Sequence, residues 1–111
     1  MDAFVLDRVS ILDRLGGDED IFAMMAEMYV ADSESYCDQL TAALAAGDAP
    51  LLQRETHSVK GVLSSFSDDA GMALALAVEQ QAKTGNLSTI QAQLVLLQAR
   101  IREVSGVLAK V

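Results

Sequence analysis

The sequence predicts an all-α protein with an antiparallel up-down four-helix bundle and a short N-terminal capping helix. Apolar residues make up 51% of the chain and aromatic residues only 5%, a composition that favours helix packing over a β-sandwich. Helix-breaking residues cluster at four places and divide the chain into five segments with short connections, which are typical of antiparallel neighbours. The 111 residues fit one domain, and we expect it to span residues 1–111.

The first two segments predict a short helix followed by a long one. Residues 2–15 contain helically spaced apolar side chains, and we expect this helix to cap the bundle. Asp18 is a suitable N-cap for a second helix that runs to residue 46, where Gly47 marks its end. The apolar stripe of the second helix consists of Phe22, Met25, Tyr29, Tyr36, Leu40 and Ala43.

The third and fourth segments predict two further helices. Residues 49–66 follow the N-cap Asp48 and carry Pro50 in the first turn, where proline is tolerated. Residues 69–83 alternate alanine with larger apolar residues, which resembles a strand, but a helix is predicted because the chain offers no partner strand. The core stripe of the third helix consists of Leu52, Thr56, Val59, Leu63 and Phe66.

The fifth segment has the most regular apolar pattern. Ser88 and Gln91 fit a capping box, which predicts that the helix begins with Ser88 as its N-cap. The apolar stripe then alternates spacings of four and three residues to the end of the chain: Ile90, Leu94, Leu97, Ile101, Val104, Leu108 and Val111.

Charge and composition disfavour several function classes. With 8 basic and 16 acidic residues, the net charge of −8 argues against binding to nucleic acids or to anionic membranes. The sequence contains no signal peptide and no apolar run long enough to span a bilayer, so we expect a cytoplasmic protein. The single cysteine, Cys37, cannot form an internal disulfide. One histidine, without an HExxH or CxxC motif, leaves too few ligands for a catalytic zinc, and we expect no cofactor.

The only histidine, His57, lies on the side of the third helix opposite the predicted core stripe. Lys60, Gly61 and Ser64 follow it within two turns and share this outward face. A lone exposed histidine is usually an ordinary surface residue, but a glycine inside a helix costs about 1 kcal/mol relative to alanine. Gly61 therefore indicates a place where another molecule approaches the imidazole closely.

A neutral imidazole is an available nucleophile near pH 7, because the ordinary pKa of histidine is about 6.5. The sequence contains neither a P-loop nor a kinase-type glycine loop, so a phosphoryl donor would have to be delivered by another protein. Arg54 at −3 and Lys60 at +3 from His57 can both lean toward a phosphoryl group and offset its negative charge.

The residues His57-Ser58-Val59-Lys60-Gly61 resemble the HxxKG motif of histidine-containing phosphotransfer (HPt) domains. The surrounding sequence is also similar at residues 12–18, 45–48 and 78–79, so the resemblance extends over essentially the whole chain at the level of the bundle. The sequence departs from the family pattern in two places: Val62 and Leu63 follow the glycine instead of small residues, and Ser67 stands where a second glycine is common.

The resemblance implies a monomeric phosphorelay carrier rather than an autonomous enzyme. Such domains accept a phosphoryl group on the motif histidine from the phospho-aspartate of a receiver domain and pass it to another receiver. This assigns the acceptor to Nε2 of His57, charge neutralisation to Lys60, close approach of the receiver to Gly61, and a supporting hydrogen bond to Ser64. The partners would be receiver domains of response regulators or of a hybrid histidine kinase, and Mg²⁺ would belong to the receiver.

Other functions also fit a helical bundle. The dimerisation domain of a sensor kinase has an acidic residue directly after its histidine and Thr or Asn four residues on, where this chain has Ser58 and Gly61. A helical adaptor could dock a response regulator without being phosphorylated. A haem or di-metal bundle is disfavoured because Arg54 occupies the position of the glutamate in a Glu-x-x-His motif.

Overall fold

The computed structural model describes residues 2–111, and in this part of the chain it contains five helices and no strand. The predicted all-α fold is therefore confirmed, with a short N-terminal helix before four long ones. None of the helices in the described part is long and apolar enough to cross a membrane. The helices are α1 (Arg8–Arg14), α2 (Glu19–Ala45), α3 (Ala49–Ser65), α4 (Asp69–Lys83) and α5 (Gln91–Leu108).

The four long helices form a bundle, and the described chain as a whole measures 43 × 22 × 21 Å. Each of them packs against two neighbours, in the ring order α2, α3, α4 and α5, and the contact between α3 and α4 is the most extensive. The short helix α1 packs against α2. This arrangement leaves each long helix with one face toward the core and one face toward solvent.

The predicted core stripes are largely confirmed. All five residues of the α3 stripe are buried, and so is the whole α5 stripe except Val111, which lies beyond the helix and is 56% exposed. In α2, Met25 and Tyr36 are only half-buried, because the core-facing positions there belong to smaller residues. These smaller buried residues are Ala26, Ser33 and Cys37.

The first helix is shorter than predicted, because residues 2–7 are not helical. The Asp7 carboxylate caps α1 by accepting from the backbone N–H of Ser10. The backbone before it is held by side chains of α5: Arg100 Nη1 donates to the Asp2 carbonyl at 2.7 Å, and Phe4 N–H donates to Glu103 Oε2 at 2.7 Å. These long-range bonds replace the helical bonds that local spacing predicted.

The predicted capping box before α5 is wrong. The N-cap of this helix is Ile90, and no side chain accepts from its first turn. The Ser88 hydroxyl donates instead to Asn86 Oδ1 at 2.7 Å, and the Ser88 backbone N–H donates to the same oxygen. Asn86 therefore binds the serine groups that the capping box would have used, and the segment forms a turn before the helix.

A buried ion pair closes the turn between α3 and α4. Asp68 caps α4 by accepting from Gly71 N–H, and the same carboxylate accepts from Arg100 Nη2 at 2.7 Å and from Arg100 Nε. These hydrogen bonds raise the pKa of Arg100 above its ordinary value. A Cβ at position 71 would lie 2.0 Å from Asp68 Oδ2, so only glycine fits beside this pair.

Ser67 occupies a conformation that favours glycine. Its φ is 57°, and the turn around it is a Schellman motif, in which Ser67 N–H donates to Ser64 O and Asp68 N–H donates to Leu63 O. The Ser67 hydroxyl is also buried without a hydrogen-bond partner in the described structure. Ser67 thus ends α3 with the turn that a glycine usually forms, but its left-handed backbone conformation is strained.

We expect Ser67→Gly to raise the free energy of unfolding by about 1 kcal/mol, because it removes a left-handed side chain and an unpaired buried hydroxyl. Urea unfolding followed by circular dichroism measures the change. The matched control is Ser58→Gly in the exposed middle of α3, which we expect to destabilise by roughly 0.5 kcal/mol. A Ser67→Gly protein that is less stable than the wild type would contradict the strain at this turn.

Candidate functional site

His57 projects from the middle of α3 into solvent, with 68% of its side chain exposed. Its neighbours Thr56 and Val59 are buried, and Thr56 is additionally fixed by a hydrogen bond from its hydroxyl to the Leu52 carbonyl at 2.7 Å. The core stripe of α3 therefore sets the direction in which the imidazole points. This is the outward face that the sequence pattern predicted.

A single carboxylate from the next helix holds the imidazole. Glu79 of α4 is almost fully buried, with only 7% of its side chain exposed. Its Oε2 lies 2.8 Å from His57 Nδ1, and its Oε1 accepts from Lys60 Nζ at 2.6 Å. The carboxylate thus bridges two residues that are one turn apart on α3.

The two partners keep Glu79 ionised despite its burial. The hydrogen bond from Lys60 lowers the pKa of Glu79 most strongly, burial opposes it, and the contact with His57 lowers it further. An ionised carboxylate can only accept hydrogen bonds, so Nδ1 of His57 must carry the hydrogen in this contact. When the ring is neutral, its free lone pair is therefore on Nε2, the nitrogen that does not face Glu79.

The other predicted site residues lie on the same outward face of α3. Lys60 is 24% exposed and joins His57 through Glu79. Gly61 is exposed, and a Cβ built there would meet nothing within 4 Å. Arg54 and Ser64 are exposed, and within residues 2–111 neither side chain makes a hydrogen bond to His57, Lys60 or Glu79.

Glu79 belongs to the similar stretch 78–79 but was not predicted to be a site residue, although two features of the sequence point to it. It is the only charged residue of α4 between Asp69 and Lys83, within a run of alanine, leucine and valine. It also shares a helical face with the apolar residues Met72 and Leu76, seven and three positions earlier. A carboxylate on an apolar face needs a buried partner, and the outward lysine and histidine of the preceding helix are suitable ones.

Apolar surface lies along both sides of α3. Toward α2, a depression of about 170 Å³ is lined by residues that include Met25, Met28, Val62 and Phe66. Toward α4, Leu76 lies one turn from Glu79 and is exposed. The site is therefore a polar cluster within a partly apolar surface, which suits the docking of another protein.

Across residues 2–111, no group of three or more His, Cys, Asp or Glu side chains is arranged to hold a metal ion. The chemistry that the described site offers is that of an exposed nucleophilic nitrogen with a fixed tautomer. A buried carboxylate and an ammonium group lie beside it.

Comparisons with known proteins agree with this geometry. The sequence model of the Hpt domain matches residues 24–106. The fold is similar to histidine-containing phosphotransfer protein B from Pseudomonas aeruginosa PAO1, with a TM-score of 0.85, 27% identity, and coverage of 98% of this chain and 95% of that one. It also resembles the HPT domain of a sensor hybrid histidine kinase from Shewanella, with a TM-score of 0.80, 13% identity, and coverage of 95% and 91%. No curated protein sequence matches the chain.

We expect Glu79→Gln to lower the free energy of unfolding at pH 7 by roughly 1–2 kcal/mol, because an amide has one acceptor oxygen for two donors. The pKa of Glu79 is lowered in the folded protein, so its contribution is present above the unfolded pKa of about 4.3 and is lost as the pH falls through the folded value. Urea unfolding at pH 7 and at pH 3 measures this difference.

The matched control is Glu27→Gln, which changes an exposed carboxylate that makes no hydrogen bond in the described structure. We expect it to leave stability unchanged at both pH values. Nitrogen-15 NMR of the single imidazole adds a second measurement, since Glu79→Gln should reduce the fraction of neutral His57 that is protonated at Nδ1. Equal stability of the wild type and Glu79→Gln at pH 7 would contradict the bridging role.

Proposed function

The chain belongs to the Hpt domain family, and we propose that it carries a phosphoryl group on Nε2 of His57 between receiver domains. The observation that supports this most directly is the contact between Glu79 and His57 Nδ1, because it leaves the Nε2 lone pair free on the exposed side of the ring. Family members take part in phosphotransfer in two-component signalling, and the site has the chemistry for that task.

The transfer step uses only the groups described above and a phosphorylated receiver. The Nε2 lone pair attacks the phosphorus of an aspartyl phosphate, the P–O bond to the aspartate breaks, and its electron pair leaves with the receiver carboxylate. Nδ1 keeps its proton, so the phosphorylated ring is positively charged beside the Glu79 carboxylate. Because such a transition state is loose, orientation and charge neutralisation supply most of the rate acceleration.

Nearby cations offset the charge of the phosphoryl group. The Lys60 ammonium is held by Glu79 within the same cluster as His57, which keeps a positive charge next to the ring. Arg54 lies one turn before His57 on the exposed face, and its guanidinium makes no ion pair within residues 2–111. Ser64, one turn beyond Lys60, completes the set with a hydroxyl donor. This local charge matters because the whole chain has a net charge of −8.

The receiver docks over the face that contains Gly61. The open space at Gly61 and the exposed Leu76 on α4 let a second protein approach Nε2 closely. A receiver supplies its own phospho-aspartate and Mg²⁺, so this chain needs no ATP site of its own. In this proposal it acts as a monomeric carrier in the cytoplasm. Its partners are receiver domains of response regulators or of a hybrid histidine kinase.

We expect His57→Gln to abolish phosphoryl acceptance while the fold is kept, because the side chain is exposed and contributes nothing to the core. The measurement mixes the protein with a panel of ³²P-labelled receiver domains and scores label on the carrier at short times. Since His57 is the only histidine, an acid-labile and alkali-stable label on the wild type must lie on this residue.

The matched control for this experiment is Ser58→Ala, an exposed neighbour on the same helix that we expect to accept label at the wild-type rate. Acid-labile label on His57→Gln would refute the assignment. A wild-type protein that binds a phosphorylated receiver and takes no label would be an adaptor instead. An obligate dimer in light scattering would favour a kinase dimerisation domain.

We expect Gly61→Gln to slow transfer by roughly tenfold or more, because the side chain fills the space that the receiver needs. The same change should raise the free energy of unfolding by about 0.5–1 kcal/mol, since glycine is a poor helix former and a Cβ there has room. Transfer rate and stability are thus expected to change in opposite directions.

Gly106→Gln provides the matched control, because Gly106 is also exposed, lies within α5 and has open space around a built Cβ. It should gain similar stability and transfer phosphoryl groups at the wild-type rate. Equal transfer rates for the two variants would show that clearance at Gly61 has no role in docking.

A further inference from the structure

A surface groove lies away from His57, on another side of the bundle. It has a volume of about 750 Å³ and is bordered by α2, the C-terminal end of α5 and the start of α1. Its floor is formed by Phe22, Ala26 and Leu108, which are buried, with Val30 half-buried beside them. The exposed alanines around this floor have no long side chains to cover it, so several apolar groups of a partner can enter.

Acidic side chains surround this apolar floor. Three carboxylates line the groove, from Glu19, Asp20 and Glu27, against one cation, Arg8. Arg8 is already occupied, because its guanidinium is paired with Glu19 and lies 4.7 Å from the centroid of the Phe22 ring. Asp20 and Glu27 make no side-chain hydrogen bond or ion pair in the part of the chain that the structure describes.

The groove and the depression next to α3 lie on different sides of α2. Ala23, Ala26 and Val30 border the groove, whereas Met25 and Met28 line the depression next to α3. The groove contains no residue of α3 or α4, the two helices that carry His57 and Glu79. A ligand in the groove therefore leaves the imidazole accessible.

We propose that this groove binds a basic amphipathic helix of a partner protein. The apolar floor fits the apolar face of such a helix, and the unpaired carboxylates of Asp20 and Glu27 fit its lysines or arginines. An extended peptide that binds by strand addition would need a sheet edge, and the described residues contain no strand. An anionic lipid surface or a nucleic acid would be repelled by the acidic rim.

The experiment titrates the full 111-residue chain with a synthetic 18-residue peptide of leucine and lysine that forms a helix with one apolar and one cationic face. Nitrogen-15 NMR maps the contact. We expect shifts at the amides of Ala23, Ala26 and Leu108 and none around His57. The same peptide with glutamate in place of lysine should not bind.

Three variants separate the groove from simple charge attraction. Asp20→Lys combined with Glu27→Lys should weaken binding by roughly tenfold or more. Asp13→Lys combined with Asp38→Lys changes the net charge equally at exposed sites outside the groove, and should bind as the wild type does. Ala23→Trp keeps the charge but fills the groove, and should also lose binding.

Several outcomes would overturn the proposal. These are absence of saturable binding, equal loss of affinity in both charge-reversed proteins, or unchanged affinity in Ala23→Trp. Shifts centred on His57 would mean that the peptide binds the receiver-docking face instead. Self-association of the chain that Ala23→Trp abolishes would make a second copy the occupant of the groove.

Discussion

The carboxylate of Glu79 lies almost completely out of water, yet it is ionised because Lys60 and His57 both donate to it. The two donors offset the cost of covering this charge, because a carboxylate shielded from water without hydrogen bonds is destabilising. They also require α3 and α4 to keep one register, in which residues one turn apart on α3 meet a single residue of α4. The exposed imidazole thereby obtains an orientation that a surface side chain ordinarily lacks.

A second buried charge, the carboxylate of Asp68, holds the turn between α3 and α4 in place. Asp68 caps α4 and pairs with Arg100 of α5, while Arg100 also binds the backbone of the N-terminal segment at Asp2. The turn between α3 and α4, the last helix and the start of the chain are therefore tied together in one network. With Glu79 on one side and Asp68 on the other, α4 is held by charge against both α3 and α5, the helices between which it packs. The extensive contact between α3 and α4 positions His57 and Lys60 relative to Glu79.

The orientation of His57 could be predicted from sequence because it depends on one helix alone. The spacing from Leu52 to Phe66 defines the buried side of α3, and the histidine stands opposite. Its contact with Glu79 could not be predicted in the same way, since the two residues are 22 positions apart and meet only through the register of two helices.

The mistakes at the helix ends have a similar physical origin. Ser88 fits a capping box by its spacing to Gln91, but Asn86 offers a nearer acceptor and forms a turn. Residues 2–7 have helical spacing, but their backbone is bound by Arg100 and Glu103 from the other end of the chain. Local sequence patterns indicate the structure that a segment can form. Hydrogen bonds to neighbouring or distant groups determine which structure it adopts.

Helix α2 has two separately exposed sides, one along the depression next to α3 and one along the groove next to α5. Two proteins can therefore contact the same helix without touching each other's binding site. If one of them is joined to a receiver by a flexible linker, the receiver meets His57 at an effective concentration on the order of millimolar instead of its cellular concentration. Proximity then gives selectivity for one receiver, while the exposed face with His57 stays equally open to all of them.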